Sequence, residues 1–166
     1  MRVYIPATLA MLSELVADGF LQPRAGTAFA VTPTLREAYA EGDDEELAEV
    51  ALGEAALASL RLVSGEAPDA PARRAVVVAD APDGSVTLRP DLDDAVVRVK
   101  GRIATGQVVA AYVDNSDAEP AVRAAIAVID DADLGDEDAE LTVGDAQDHD
   151  LAWYATQELP FLLDLL

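Results

Sequence analysis

The stretch DHDLAWYATQEL, residues 148–159, holds the chain's only histidine and its only tryptophan, His149 and Trp153. Read as a helix, it puts these two on one face, four residues apart, with Gln157 one further turn along. A ring to stack on, an imidazole and an amide would then line a single groove suited to a small ligand. Asp148 and Asp150 flank His149 and favour its protonated form, while the positive end of a helix opposes it. The bland alternative carries more weight. In it Trp153 and Tyr154 pack the last helix onto a sheet, and His149 closes the first turn.

A second group follows a strand-like run. Asp114, Asp117 and Glu119 are hard oxygen donors of the kind that hold Mg²⁺ or Ca²⁺, and strand ends are where open α/β sheets place ligands. The spacing is not that of a calcium loop, and Asp, Asn and Ser are ordinary turn residues, so a solvated turn is the favoured reading. Asp80 and Asp83 follow another strong strand. Two carboxylates divide acid and base roles only if their surroundings split their pKa values, and the sequence does not bring these acids together.

Several catalytic patterns are missing. There is no Gly-rich dinucleotide fingerprint, no phosphate-loop lysine motif and no H-E-x-x-H. The chain has no cysteine, which excludes disulfides and thiolate chemistry. A zinc site would have one histidine to draw on. The serines occur in no nucleophile-elbow context. The sequence therefore leans away from an enzyme, and no motif names a cofactor.

Charge is the strongest global signal. The 166 residues carry 32 acids and 11 bases, a net charge of −21. Such a field repels phosphates, which disfavours general nucleic-acid binding; an acidic surface of this kind could instead meet a basic partner, bind cations or mimic nucleic acid. Residues 114–166 hold fifteen acids and one base, Arg123, a net of −14. The composition also fits a soluble protein of a GC-rich genome, for which high charge is mainly a matter of solubility. No signal-peptide order opens the chain, and no run approaches the ~18 apolar residues of a membrane span. A cytoplasmic protein is expected.

The elements that must position these residues read as one domain over residues 1–166. Strands are expected at 2–5, 27–31, 75–80, near 86, at 95–101 and at 107–114. Helices are expected over 9–18 with Thr8 as cap, from Thr32–Pro33 onward, over 43–63 with four leading acids, and over 118–132. Residues 133–145 read as an acidic surface connection and 146–158 as the last helix. Pro160 then opens an apolar tail, 160–166, that docks on the core or leaves a homodimer open. The fold class is α/β or α+β, a mixed sheet with helices packed on it. A β-α-β-α order over 2–40 recurs in outline over 96–131, in shape rather than identity.

The blocks MRVYIPATL, AFAVTPTLREAY, DDEELAEVALGEAALASLRL and DHDLAWYATQEL, in that order, resemble a family of short actinobacterial proteins catalogued as a domain of unknown function. Ala38 departs from that pattern, which often has an aromatic there. The resemblance implies an actinobacterial cytoplasmic protein and transfers no activity, cofactor or catalytic residue. Together these observations favour a non-enzymatic interaction or regulatory protein acting through its acidic C-terminal surface. The alternative is a small-molecule binder or enzyme with a pocket near His149 and Trp153.

Overall fold

A computed structural model describes all 166 residues. Its centre is a seven-stranded sheet in the order β5-β6-β3-β1-β4-β8-β9, antiparallel at every pairing. The strands are β1 (Arg2–Ala7), β3 (Thr27–Phe29), β4 (Ala75–Asp80), β5 (Val86–Leu88), β6 (Val96–Val99), β8 (Val108–Val113) and β9 (Ala152–Ala155). Two short strands, β2 (Phe20–Leu21) and β7 (Ile103–Ala104), form a separate ribbon. The helices are α1 (Leu9–Asp18), α2 (Pro33–Ala38), α3 (Asp44–Ser64), α4 (Glu119–Asp133), α5 (Glu137–Gln147) and α6 (Leu159–Asp164). None is long and apolar enough to cross a membrane.

Helices on both faces explain why β1 and β4 read as nearly continuous apolar runs: a strand covered on both sides has no wet face to alternate with. On one face, Leu12 and Leu15 of α1 and Leu159 and Leu162 of α6 pack on Val3, Ile5, Val77 and Val113. On the other, Leu47, Ala51 and Ala55 of α3 pack on Tyr4, Phe29, Val76 and Val78. A third cluster joins Leu60 of α3 to Val122, Ala125 and Ile129 of α4 and to Val143 and Ala146 of α5. This accounts for the wide apolar stripe of α3, which is packed on two sides.

Caps set the boundaries. Thr8, Thr32 and Asp43 each accept a main-chain N–H from three residues on; the first two are the expected caps, and Asp43, expected as the first of four leading acids, proves to be the cap of α3. At Gly26 a side chain would be refused twice. Its φ is +69°, and an added Cβ would lie 2.9 Å from the Val99 carbonyl oxygen.

Three expectations need correction, two of them in the C-terminal third. Much of the supposed connection 133–145 is helix: Asp136 caps α5 by accepting the Ala139 N–H, and Ala139, Val143 and Ala146 form its buried stripe. The supposed last helix 146–158 is instead the end of α5, a link, strand β9 and a turn. The segment beyond Pro160 is helical; Leu162 is buried, and Phe161 and Leu165 are exposed. The β-α-β-α order of residues 2–40 recurs later only as β8 followed by α4, with no α-helix between β6 and β8.

Candidate functional site

The register Ala75↔Val113 puts Arg74, just before β4, opposite Asp114, just after β8. Both side chains are lost to solvent, at 1% and 0% exposure. The guanidinium grips the carboxylate with two bonds, Nε to Oδ2 at 2.8 Å and Nη2 to Oδ1 at 2.7 Å, and the Arg74 main-chain N–H donates to Oδ2 at 2.8 Å. Such a pair survives burial only when its hydrogen-bonding capacity is met. Here Nη1 also donates to Gln147 Oε1 at 2.9 Å and Nη2 to the His149 carbonyl at 2.8 Å. Gln147 in turn donates to the Gly53 carbonyl of α3 at 3.1 Å. One buried arginine thus ties the end of α5, the 148–151 link, α3 and two central strands into a single network.

Beside this network lies a pocket of about 510 Å³ lined by Glu49 and Leu52 of α3, Tyr112 of β8, and Arg74, Gln147 and His149, with Asp150 and Leu151 at the link. The His149 main chain is fixed, its N–H donating to the Ala146 carbonyl, and the residue is part of the pocket wall. Trp153 is not in that lining. It stands on β9 directly opposite Tyr112, 56% exposed, and directly opposed residues share a face. Its neighbour Tyr154 turns to the α1–α6 side and packs there. Gln157 lies elsewhere, on a turn that lines a second pocket of about 380 Å³ with Leu15, Thr105 and Leu159. The expected groove of His149, Trp153 and Gln157 therefore does not form, because the segment is not one helix.

Nor do the three candidate metal donors converge. Asp114 is consumed by Arg74, Glu119 accepts from Arg73 Nε at 3.1 Å, and Asp117 is exposed. No cluster of three or more histidine, aspartate or glutamate side chains is placed to hold a metal ion. Asp80, the other strand-end acid, pairs with Arg2 at 3.1 Å, and the Arg2 hydrogen bond holds its carboxyl below the usual carboxylate range.

The remaining charge is concentrated on the α4–α5 hairpin. Gly135, in the left-handed region at φ +95°, allows the chain to turn between the helices. Asp130, Asp131, Asp136, Glu137, Asp138 and Glu140 are exposed around that turn. Three of them, Glu137, Asp138 and Glu140, sit in the first turn of α5, where the helix dipole favours them. Of the acids near the turn, Asp133 holds an arginine, Arg61 at 2.8 Å, and that hydrogen bond keeps its carboxyl below the ordinary range. Amid these acids stand Leu134 at 87% exposure and Leu141 at 70%.

An antiparallel sheet covered on both faces, one buried arginine hub and an acidic helical hairpin define the class of protein. The chain belongs to the family of unknown function DUF6912, whose model matches residues 1–163. No curated protein and no solved structure matches it.

The central role of Arg74 was not anticipated. The signal was present in outline, an arginine directly before one apolar strand and an aspartate directly after another, but it becomes a pair only once β4 and β8 are known to be antiparallel neighbours.

Proposed function

We propose that the protein is a non-enzymatic interaction module that docks a basic protein partner on its α4–α5 hairpin. The observation that carries this reading is the pairing of two strongly exposed leucines, Leu134 and Leu141, with a surrounding field of acids. After Arg123 the chain contains no lysine or arginine. Exposed apolar side chains rimmed by polar residues offer a partner a surface to cover. The acids around them steer a cationic surface and fix its register, while the apolar pair supplies contact that releases water. The buried Arg74 network holds the far end of α5 to the sheet, so the hairpin is presented on a fixed base. Small-molecule catalysis finds less support, since His149 stands without Trp153 or Gln157 and the strand-end acids Asp80 and Asp114 are committed to arginines.

A Leu134→Ser/Leu141→Ser variant tests the reading. Both positions are exposed, so stability is expected to stay within about 0.5 kcal/mol per site. Immobilised wild-type chain is expected to retain a discrete basic protein from extracts of its own cells in low salt, and the double variant to retain at least tenfold less. Equal retention by the two would overturn the assignment to this hairpin.

A further inference from the structure

Strand β9 is the last in the sheet, and its outer edge carries no neighbour. Which of its main-chain groups face outward follows from two hydrogen bonds. The Asp114 N–H donates to the Arg74 carbonyl at 3.1 Å, so Asp114 and, two residues back, Tyr112 direct their main-chain groups toward β4. Val113 and Ala111 then face β9, and their partners Ala152 and Tyr154 complete that ladder. Trp153 and Ala155 must face the other way. Ala155 does so: its N–H donates to Oε1 of Glu158 at 3.0 Å. The Ala155 C=O opens the 3-10 turn Thr156–Glu158 as its N-cap and accepts the first bond of that turn, so the Trp153 N–H and C=O are the groups left at the open edge.

The same alternation makes Tyr112–Trp153 a non-hydrogen-bonded pair, in which opposed Cα atoms come within about 4.5 Å and side chains lie close. The two rings share the face that α3 covers only in part. The 510 Å³ pocket opens beside Tyr112 there, with the carboxylates of Glu49 and Asp150 in its lining. Neither is in an ion pair, and the one cation in the wall, Arg74, is spent on Asp114. Asp148, Asp150 and Glu158 flank β9 in sequence, all exposed. The opposite edge of the sheet, β5, is flanked by both signs, with Asp83 before it and Arg89 paired with Asp91 after it.

We propose that the β9 edge accepts an extended basic segment of another protein as an eighth strand. One lysine or arginine of that segment lies across Trp153 and Tyr112 and reaches Glu49 and Asp150. Main-chain pairing gives the affinity of such strand addition, and the side-chain position gives its specificity. An aromatic face attracts a cation, and the carboxylates hold its charge. The inference rests on the reading of a basic partner but uses a separate contact. Along α5, the eleven residues from Glu137 to Gln147 set the hairpin turn about 16 Å from the link that leads into β9.

Trp153 is the sole tryptophan, so its emission reports on this edge alone. The probe is an acetylated, amidated hexapeptide of alternating arginine and valine. Saturable blue-shifted emission is expected, with at least tenfold weaker binding for the same peptide N-methylated at every residue. Glu49→Gln/Asp150→Asn is expected to weaken binding severalfold, and Leu134→Ser/Leu141→Ser to leave it unchanged. Equal binding of the methylated peptide, or no shift at millimolar peptide, would overturn strand addition. If partner retention by the hairpin persists in that case, the β9 inference alone falls; if retention is lost as well, the broader reading falls with it. Light scattering is expected to give the monomer mass of 17.4 kDa. A multiple of that mass, with Trp153 emission already blue-shifted, would make a second copy the occupant and overturn the proposal.

Discussion

Asp114→Ala is expected to cost about 3–5 kcal/mol of unfolding free energy, the range for removing one partner of a buried ion pair. The reason is the charge left behind. Arg74 is 1% exposed and cannot turn to water without dragging the end of α5 with it, since its remaining donors hold Gln147 and the His149 carbonyl. Asp114 also accepts the Arg74 main-chain N–H, which would lose its acceptor as well. The double change Arg74→Met/Asp114→Leu removes both charges and is expected to recover most of the loss, because well-packed apolar replacements of buried pairs are often neutral. Urea denaturation of the two variants beside the wild type measures this. A loss under about 1 kcal/mol for Asp114→Ala would mean that the pair is not desolvated as the structure has it.

Ser59→Ala is the second change with a large expected effect for its size. The Ser59 hydroxyl, fully buried on α3, donates to the Ala7 carbonyl at 2.7 Å and accepts the Ala75 N–H at 2.9 Å. It therefore closes the end of the β1–β4 ladder, where Ala7 and Ala75 are register partners. Removing one oxygen leaves two main-chain groups without a partner in a site water does not reach, at about 1–3 kcal/mol for each. Ser64→Ala is the control on the same helix. Its hydroxyl bonds the Arg61 carbonyl at the surface, where water substitutes, and its cost is expected within about 0.5 kcal/mol. Equal costs for the two serines in thermal or urea unfolding would contradict the bridging role.

How much of this was legible in the sequence varied along the chain. Where period and terminal signal agree, as in α1 with Thr8 as cap and α3 with its four leading acids, the helices fall within a residue or so of expectation. The fold class followed from the alternation of strand-like and helix-like runs. The C-terminal third misled because composition outweighed pattern. DADLGDEDAE is acidic enough to read as loop, yet Asp136 capping Ala139 and the spacing of Ala139, Val143 and Ala146 already encoded a helix. LAWYA lacks β-branched residues, and its local pattern reads as helix. Its strand identity comes from pairing with β8, a tertiary effect no local window contains. The candidate site suffered for the same reason. The spacing of His149, Trp153 and Gln157 has meaning only on a helix, while Tyr112 and Trp153 become neighbours only through strand order. The acidic bias of the last third was legible directly, and the exposed leucines that give it purpose needed the helix boundaries first.

Site-specific photocrosslinking in living cells tests the central proposal most directly, with a photoreactive residue placed at position 141 on α5 or, as a control, at position 14 on the exposed face of α1. A partner-docking hairpin predicts one discrete adduct from position 141, a protein rich in lysine and arginine at its contact, and none from position 14. No adduct from position 141, or the same diffuse set from both positions, would contradict the assignment of the acidic hairpin as the docking surface.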